Sequence, residues 1–228
     1  MVVLATKCYV GGDARERALD SLRALVDNDV GDLDVDFEVG VRGDEFVSVT
    51  VDGSDAVVAR NVLRERWGEV PDRLEAGETY AGTLEEWDDE AFVLDVGRGR
   101  TVRVASAELG LGAGSPRQVR ERLGLVQHVP LRFVYGDPSS ETPPRLADEE
   151  RDRLFEWTRG PGRVNVNSAT RGEVRATVNR AGHARDVVTI ERLGLLEQSI
   201  VCAEGTDPPG LLASIGKYLR SELRCVVT

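Results

Sequence analysis

The sequence predicts an α+β protein made of three consecutive segments. Three observations carry this. Short runs of period-two apolar alternation recur along the whole chain, helices with clear start signals interrupt them, and a Pro-rich stretch sets the last third apart. The first segment, residues 1–73, reads βαββα. Val2 to Val10 is strand-like. Asp13 with Glu16 suits a helix start, and Ala18, Leu19, Leu22, Leu25 and Val26 follow at helical spacing. Val35 to Val41 and Phe46 to Val51 alternate around the turn Arg42-Gly43-Asp44. Ser54 or Asp55 caps a second helix, with Val58, Val62, Leu63 and Trp67 as its apolar face and Pro71 as its stop.

The second segment, residues 74–146, is mostly strand. Tyr80 to Trp87, Ala91 to Val96 and Thr101 to Ala105 are joined by Asp88-Asp89 and by Gly97-Arg98-Gly99. Ser115-Pro116 opens a short helix through Leu123, because proline at the first helical position loses no intrahelical bond. Val129 to Tyr135 is a fourth strand. Gly136 to Pro144 reads as a linker, and no fifth strand is evident.

The third segment, residues 147–228, opens with a helix over 148–158 and continues βαββαβ. Val164 to Val166 is a strand. Thr170 to Glu173 is a capping box for a helix to Ala181. Asp186 to Leu193 and Leu196 to Ala203 pair around Gly194. Asp207 caps a helix at Pro208-Pro209, and Arg224 to Val227 closes the segment. This order predicts a ferredoxin-like α/β sandwich, and the first segment repeats it without the last strand.

Asp and Glu total 40 against 29 Lys and Arg, a net charge of −11. Only Lys7 and Lys217 are lysines. Excess carboxylate with scarce lysine points to a salt-rich cytoplasm, since carboxylates hold water and ions; a GC-rich genome is the alternative source of the arginine bias. Screening at high salt makes local charge contrast more informative than the total. Residues 1–75 carry −8, 76–150 carry −6, and 151–228 carry +3. No apolar run approaches a membrane span, and no secretory signal is evident, so the expected setting is cytoplasmic, without a membrane partner. Cys8, Cys202 and Cys225 are isolated and read as small strand residues. His128 and His183 lack metal-ligand spacing, and no hydrolase, P-loop or dinucleotide motif is present. The expectation is therefore a non-enzymatic protein without a cofactor.

The centre carries the most specific pattern. Tyr80-Ala81-Gly82-Thr83-Leu84, Ala91-Phe92-Val93-Leu94-Asp95-Val96-Gly97 and Val104-Ala105-Ser106-Ala107-Glu108-Leu109 resemble the S1 family of OB-type barrels. Ala105 stands where those domains usually carry a histidine. The resemblance implies a central S1/OB-like β-barrel between the two ferredoxin-like domains, with an open face for single-stranded RNA. On such a face aromatic rings stack on bases and arginines hold phosphate. The candidates are Tyr80 and Phe92 for stacking and Arg98, Arg100 and Arg103 for the backbone. In the alternative reading Phe92 is core and the arginines balance Glu85 to Glu90. Arg171 and Arg175, four apart on one helix, form a second candidate phosphate footprint in the basic third.

Taken whole, the chain resembles an archaeal family, domain of unknown function 2110. The stretch from Ile190 to Glu197 and Cys202-Ala203-Glu204-Gly205-Thr206-Asp207 carry that likeness, with the amino-terminal segment and the S1-like centre. The expected partner is RNA, in an accessory role beside the ribosome, transcription or RNA processing. The alternative is a module for a small ligand or a protein, with the acidic amino-terminal domain docking a basic partner.

Overall fold

The computed structural model describes residues 1–137, 139 and 142–227. The chain is mixed α+β, with three antiparallel sheets. Part of the linker expected at 136–144, namely 138, 140 and 141, lies outside the described residues.

The first unit comprises β1 (Val2–Lys7), α1 (Gly12–Val30), β2 (Asp36–Val41), β3 (Phe46–Asp52) and α2 (Ala56–Trp67), with sheet order β1-β3-β2. Ala18, Leu22, Val26 and Val30 bury one stripe of α1 against Val47, Val49 and Val51 of β3. These are the four-residue and two-residue periods of a helix and a strand meeting face to face. Three details depart from the sequence expectation. Gly11 stands at the α1 cap, and Asp13 lies inside the first turn. The buried face of α2 is Ala59 and Leu63, whereas Val58 is exposed. That helix stops at Gly68, whose φ of 71° favours glycine, before Pro71 is reached.

The central unit comprises β4 (Thr79–Trp87), β5 (Ala91–Asp95), β6 (Thr101–Ala105), α3 (Ser106–Leu109), α4 (Pro116–Arg122), β7 (Pro130–Val134) and β8 (Arg145–Leu146). Its sheet order is β6-β5-β4-β7-β8, and the sheet curls until β6 and β8 lie against each other. It is a curled half-barrel. The expected absence of a fifth strand is corrected by β8, which pairs Leu146 with Phe133 and Arg145 with Val134. Next comes α5 (Asp148–Trp157), whose Leu154 and Trp157 pack into the core of this unit.

The third unit comprises β9 (Arg163–Val166), α6 (Arg171–Arg180), β10 (Val187–Arg192), β11 (Gln198–Cys202), α7 (Pro208–Gly216) and β12 (Leu223–Val226), with sheet order β10-β11-β9-β12. The capping box forms as the sequence indicates: the Thr170 hydroxyl accepts from the Glu173 amide, and the Glu173 carboxylate accepts from the Thr170 amide at 2.8 Å. Cys8 and Cys202 are buried, Cys225 is half-buried, and all three are free thiols. No helix among the described residues is long and apolar enough to cross a membrane.

The units interpenetrate. Leu195 and Leu196, from the turn after β10, join the core of the first unit, and Val226 joins that of the central unit. Where all three meet, polar groups are buried and paired. Lys7, 5 % exposed, lies 2.7 Å from both Glu85 and Asp95. The Thr83 hydroxyl donates to Glu85 at 3.0 Å, and His128 Nδ1 lies 3.1 Å from the same oxygen. The Tyr9 ring stacks on His128 at 3.9 Å between centroids. Its hydroxyl donates to Glu197 at 2.7 Å and accepts from the Ser168 amide at 2.9 Å.

Burial pulls the Glu85 carboxyl up, but bonds to His128 and Lys7 overcome it and hold its pKa at about 2. Burial also opposes the charge of Lys7, yet Asp95 and Glu85 prevail and its pKa is raised. Truncating one partner of such a cluster strands the others in low dielectric. Lys7→Ala should therefore lose about 3 kcal/mol of stability in urea unfolding. A loss below about 1 kcal/mol would show the cluster to be solvated.

Candidate anion-binding groove

The central arginines are engaged within the fold. The Arg98 amide donates to Asp44 at 2.9 Å, and its guanidinium pairs with Asp72. Arg100 donates to the carbonyls of Pro71 and Asp72, the latter at 3.0 Å. Both tie the second hairpin of the central unit to the first unit. Arg103 bridges Asp88 at 2.7 Å and Glu90 at 3.4 Å; its bond is the leading cause holding the exposed Asp88 carboxyl at about 2. Phe92 has no exposed surface and lies in the central core, so it cannot stack on a base, which corrects that expectation. Tyr80 is half-buried against that core. Its ring lies 6.2 Å from Phe133, and its hydroxyl accepts from the Glu75 amide at 3.0 Å.

The two α6 arginines point to different depressions. Arg175 borders a shallow one beside Asn179 and Val188. Arg171 borders a trench of about 390 Å³ with Arg153, Trp157 and Arg192. That trench shares Arg153, Arg192 and Leu193 with a cavity of about 440 Å³ between the three units. The floor of the cavity is made of small groups, among them Ala5, Thr6, Ala81 and Gly194, and its walls carry Arg66, Trp67, Arg132, Glu149 and Glu150.

Each wall arginine is placed by its element. Arg132 on β7 alternates with buried Leu131 and Phe133 and so points outward. Arg192, the last residue of β10, shares the parity of buried Ile190 and is held half-buried, 5.9 Å over the Trp67 ring. Arg153 lies one turn after Glu150, pairs with it, and sits 5.3 Å over Trp157. Arg66 reaches Asp29 at 3.4 Å.

Pairing divides these side chains into two groups. Arg66 and Arg153 have carboxylate partners. Among the described residues the guanidinium groups of Arg132, Arg171 and Arg192 make no hydrogen bond or salt bridge. Burial and then the like charges of Arg171 and Arg66 lower the pKa of Arg192, against the pull of Asp29. The groove thus holds unneutralised positive charge in a chain of net charge −11. Sequence reasoning named Arg171 but missed Arg66, Arg132, Arg153 and Arg192, which come from four different elements and share no local motif.

Glu197 lies beneath the groove floor. It is fully buried, with Tyr9 bonded to one oxygen and no partner for the other. A Cβ at Gly194 would come within 2.1 Å of that second oxygen, so any side chain there would displace the Glu197 carboxylate. Burial pushes the Glu197 carboxyl up to about 8, outweighing the Tyr9 bond.

A second polar cluster lies in the third unit. His183 Nδ1 is 2.6 Å from Asp186, and His183 Nε2 is 2.8 Å from the Ser214 hydroxyl. The order resembles a serine–histidine–aspartate relay. Ser214, however, is inside α7, where the amides are committed to the helix and supply no oxyanion donors. The cluster ties the turn after α6 to α7.

The DUF2110 N-terminal domain matches residues 1–73, the DUF2110 central domain 74–158, and the DUF2110 C-terminal domain 161–227. The chain belongs to the DUF2110 family. Its central domain, as matched, includes α5, in keeping with the packing of Leu154 and Trp157. No curated protein matches the chain.

The raised Glu197 pKa has a definite stability signature. The folded chain keeps a proton that the unfolded chain releases near 4.5. Its stabilisation is complete below that value and is lost as pH rises through about 8. Within this window the slope approaches about 1.4 kcal/mol per pH unit. Urea unfolding at about pH 5 and about pH 9 should show wild-type stability falling relative to Glu197→Gln. Parallel profiles would mean that Glu197 is ionised in the fold.

Proposed function

We propose that this DUF2110 protein is a non-enzymatic RNA-binding factor that holds single-stranded RNA along the groove between its three units. The carrying observation is the unpaired set Arg132, Arg171 and Arg192 in one continuous groove. Guanidinium groups without carboxylate partners are the ones free to take phosphate. Trp67, half-buried on the cavity wall, supplies an aromatic surface beside them.

The fold supports the same reading at a finer level. The centre suits an OB-type barrel: three meandering strands, a helical connection, and β7 and β8 returning on the other side of β4. The third unit suits a ferredoxin-like sandwich. On this proposal RNA runs past the side of the barrel, because the ring expected to stack, Phe92, is core. A salt-rich archaeal cytoplasm is the proposed setting, where screening makes such short-range contacts matter more than net charge. A basic protein docked on the acidic first unit is a second reading, favoured by the net charge of −8 over residues 1–75.

Titration of fluorescent oligouridylate against salt tests the proposal. Three phosphate contacts give a slope of log K against log salt near −2, at about −0.7 per contact on a single strand. Arg171→Ala and Arg132→Ala should each weaken binding roughly tenfold and remove about one contact from the slope. Arg103→Ala, which breaks a surface pair, should leave binding unchanged. Loss with Arg103→Ala and none with Arg171→Ala would return the site to the barrel hairpin.

A further inference from the structure

What sets the deeper cavity apart is a carboxylate. Each of the two connected cavities offers two unpaired arginines, because Arg192 lines both, beside Arg132 in one and Arg171 in the other. The trench also has Glu191, which Arg163 neutralises. The deeper cavity has Glu149. Of the three acids in the first turn of α5, Asp148 pairs with Arg145 and Arg151, and Glu150 pairs with Arg153. The Glu149 carboxylate makes no hydrogen bond or salt bridge among the described residues. The Arg132 guanidinium does not close on it, although the Arg132 amide donates to the neighbouring Glu150 at 3.2 Å. A group that only accepts and groups that only donate thus line one cavity without satisfying each other.

A base that fills this gap must present donors on one edge and acceptors on another. Among the four RNA bases guanine does so. Its N1–H and amino group are adjacent donors, as a carboxylate requires, and its O6 and N7 are adjacent acceptors, the pair that a guanidinium takes bidentately. Adenine and cytosine set a ring acceptor beside their amino donor, and uracil sets two carbonyls around its single N–H. Arg192 is the guanidinium suited to the acceptor edge. It is half-buried and lies 5.9 Å over the Trp67 ring, a stacking that steadies its plane and leaves its N–H groups free to donate within it. Arg132 and Arg171 are exposed, which suits phosphate. The volume of about 440 Å³ holds a base with its sugar, since roughly 300–1,000 Å³ is typical of small-molecule sites.

We infer that the deeper cavity reads a single-stranded guanine, with Glu149 accepting from N1–H and the amino group and Arg192 donating to O6 and N7. This rests on the groove being the RNA site. Arg132 and Arg171 hold the adjoining phosphates. On a strand without guanine Arg192 takes phosphate instead, so guanine exchanges an ionic contact for a base contact.

The test titrates oligouridylates that carry one central guanine, adenine, cytosine or inosine, beside the all-uridine strand. The guanine strand should bind roughly tenfold tighter than the all-uridine strand, with a salt slope shallower by about 0.7. Inosine, which lacks the amino donor, should lose most of that gain, and adenine and cytosine should show none. Glu149→Ala should bring the guanine strand to the level of the all-uridine strand, while Arg171→Ala should weaken all strands alike and preserve the gain. Glu149 is exposed, so its truncation leaves the core intact, and the inosine comparison needs no variant. Equal binding of every strand would overturn guanine recognition and leave the groove as an RNA site. A guanine gain that survives Glu149→Ala, or a preference for another base, would also overturn it. Failure of every strand to bind would overturn both readings.

Discussion

The buried ion cluster of Lys7, Glu85 and Asp95 is the constraint on which the rest of the structure depends. Lys7 ends the first strand of the first unit, and its two carboxylates belong to neighbouring strands of the central sheet. Its ammonium is 5 % exposed, so neither side can solvate it separately without losing the other. Glu85 passes the connection to His128, the Tyr9 ring rests on His128, and the Tyr9 hydroxyl reaches Glu197 of the third unit. One continuous set of contacts thereby joins all three cores. Leu195 and Leu196 reinforce it by lending apolar surface from the third unit to the first.

This constraint also assembles the groove. Its floor comes from β1, β4 and the turn after β10, the elements that carry or flank the buried cluster. Arg132 and Arg192 reach one cavity because that packing fixes the central and third units in register. The remaining arginines show the opposite use of the same side chain. Arg98 and Arg100 bind carboxylate and carbonyl groups of the first unit, and Arg120, 3.5 Å over Trp87, pairs with Glu222 across another boundary. Most of the described arginines near unit boundaries hold the protein together. Arg132, Arg171 and Arg192, which have no such partner, line the groove.

The strands, the long helices and the capping box at Thr170 were legible because each is encoded locally, by period or by residues three apart. Elements too short to show a period were not: α3 spans four residues and β8 two. The α1 cap was misplaced because Asp13 resembles a cap residue, while Gly11 takes the extended backbone that the position needs. Phe92 shares its parity with Leu94, and both face Val102 and Val104 of β6, so its burial was readable from alternation alone. The S1-like motif implies a stacking ring there, and the alternation implies core; the alternation is the one the fold obeys. The arginines of the groove were hidden for a different reason. A guanidinium's availability depends on whether a distant carboxylate reaches it, and sequence neighbours do not reveal that. Arg103 pairs with Asp88 and Glu90, as the alternative reading of the sequence has it, and Arg98 with the more distant Asp72, whereas Arg192 sits beside Glu191 and is unpaired.

The measurement that bears most directly on this account is ultraviolet crosslinking of oligouridylate to the intact chain, with the attached peptides identified by mass spectrometry. The account predicts attachment at the peptides carrying Trp67 and residues 187–194, and loss of both when Lys7→Ala uncouples the units. Attachment instead at the β5–β6 hairpin around Arg98 and Arg103, unaffected by Lys7→Ala, would contradict it.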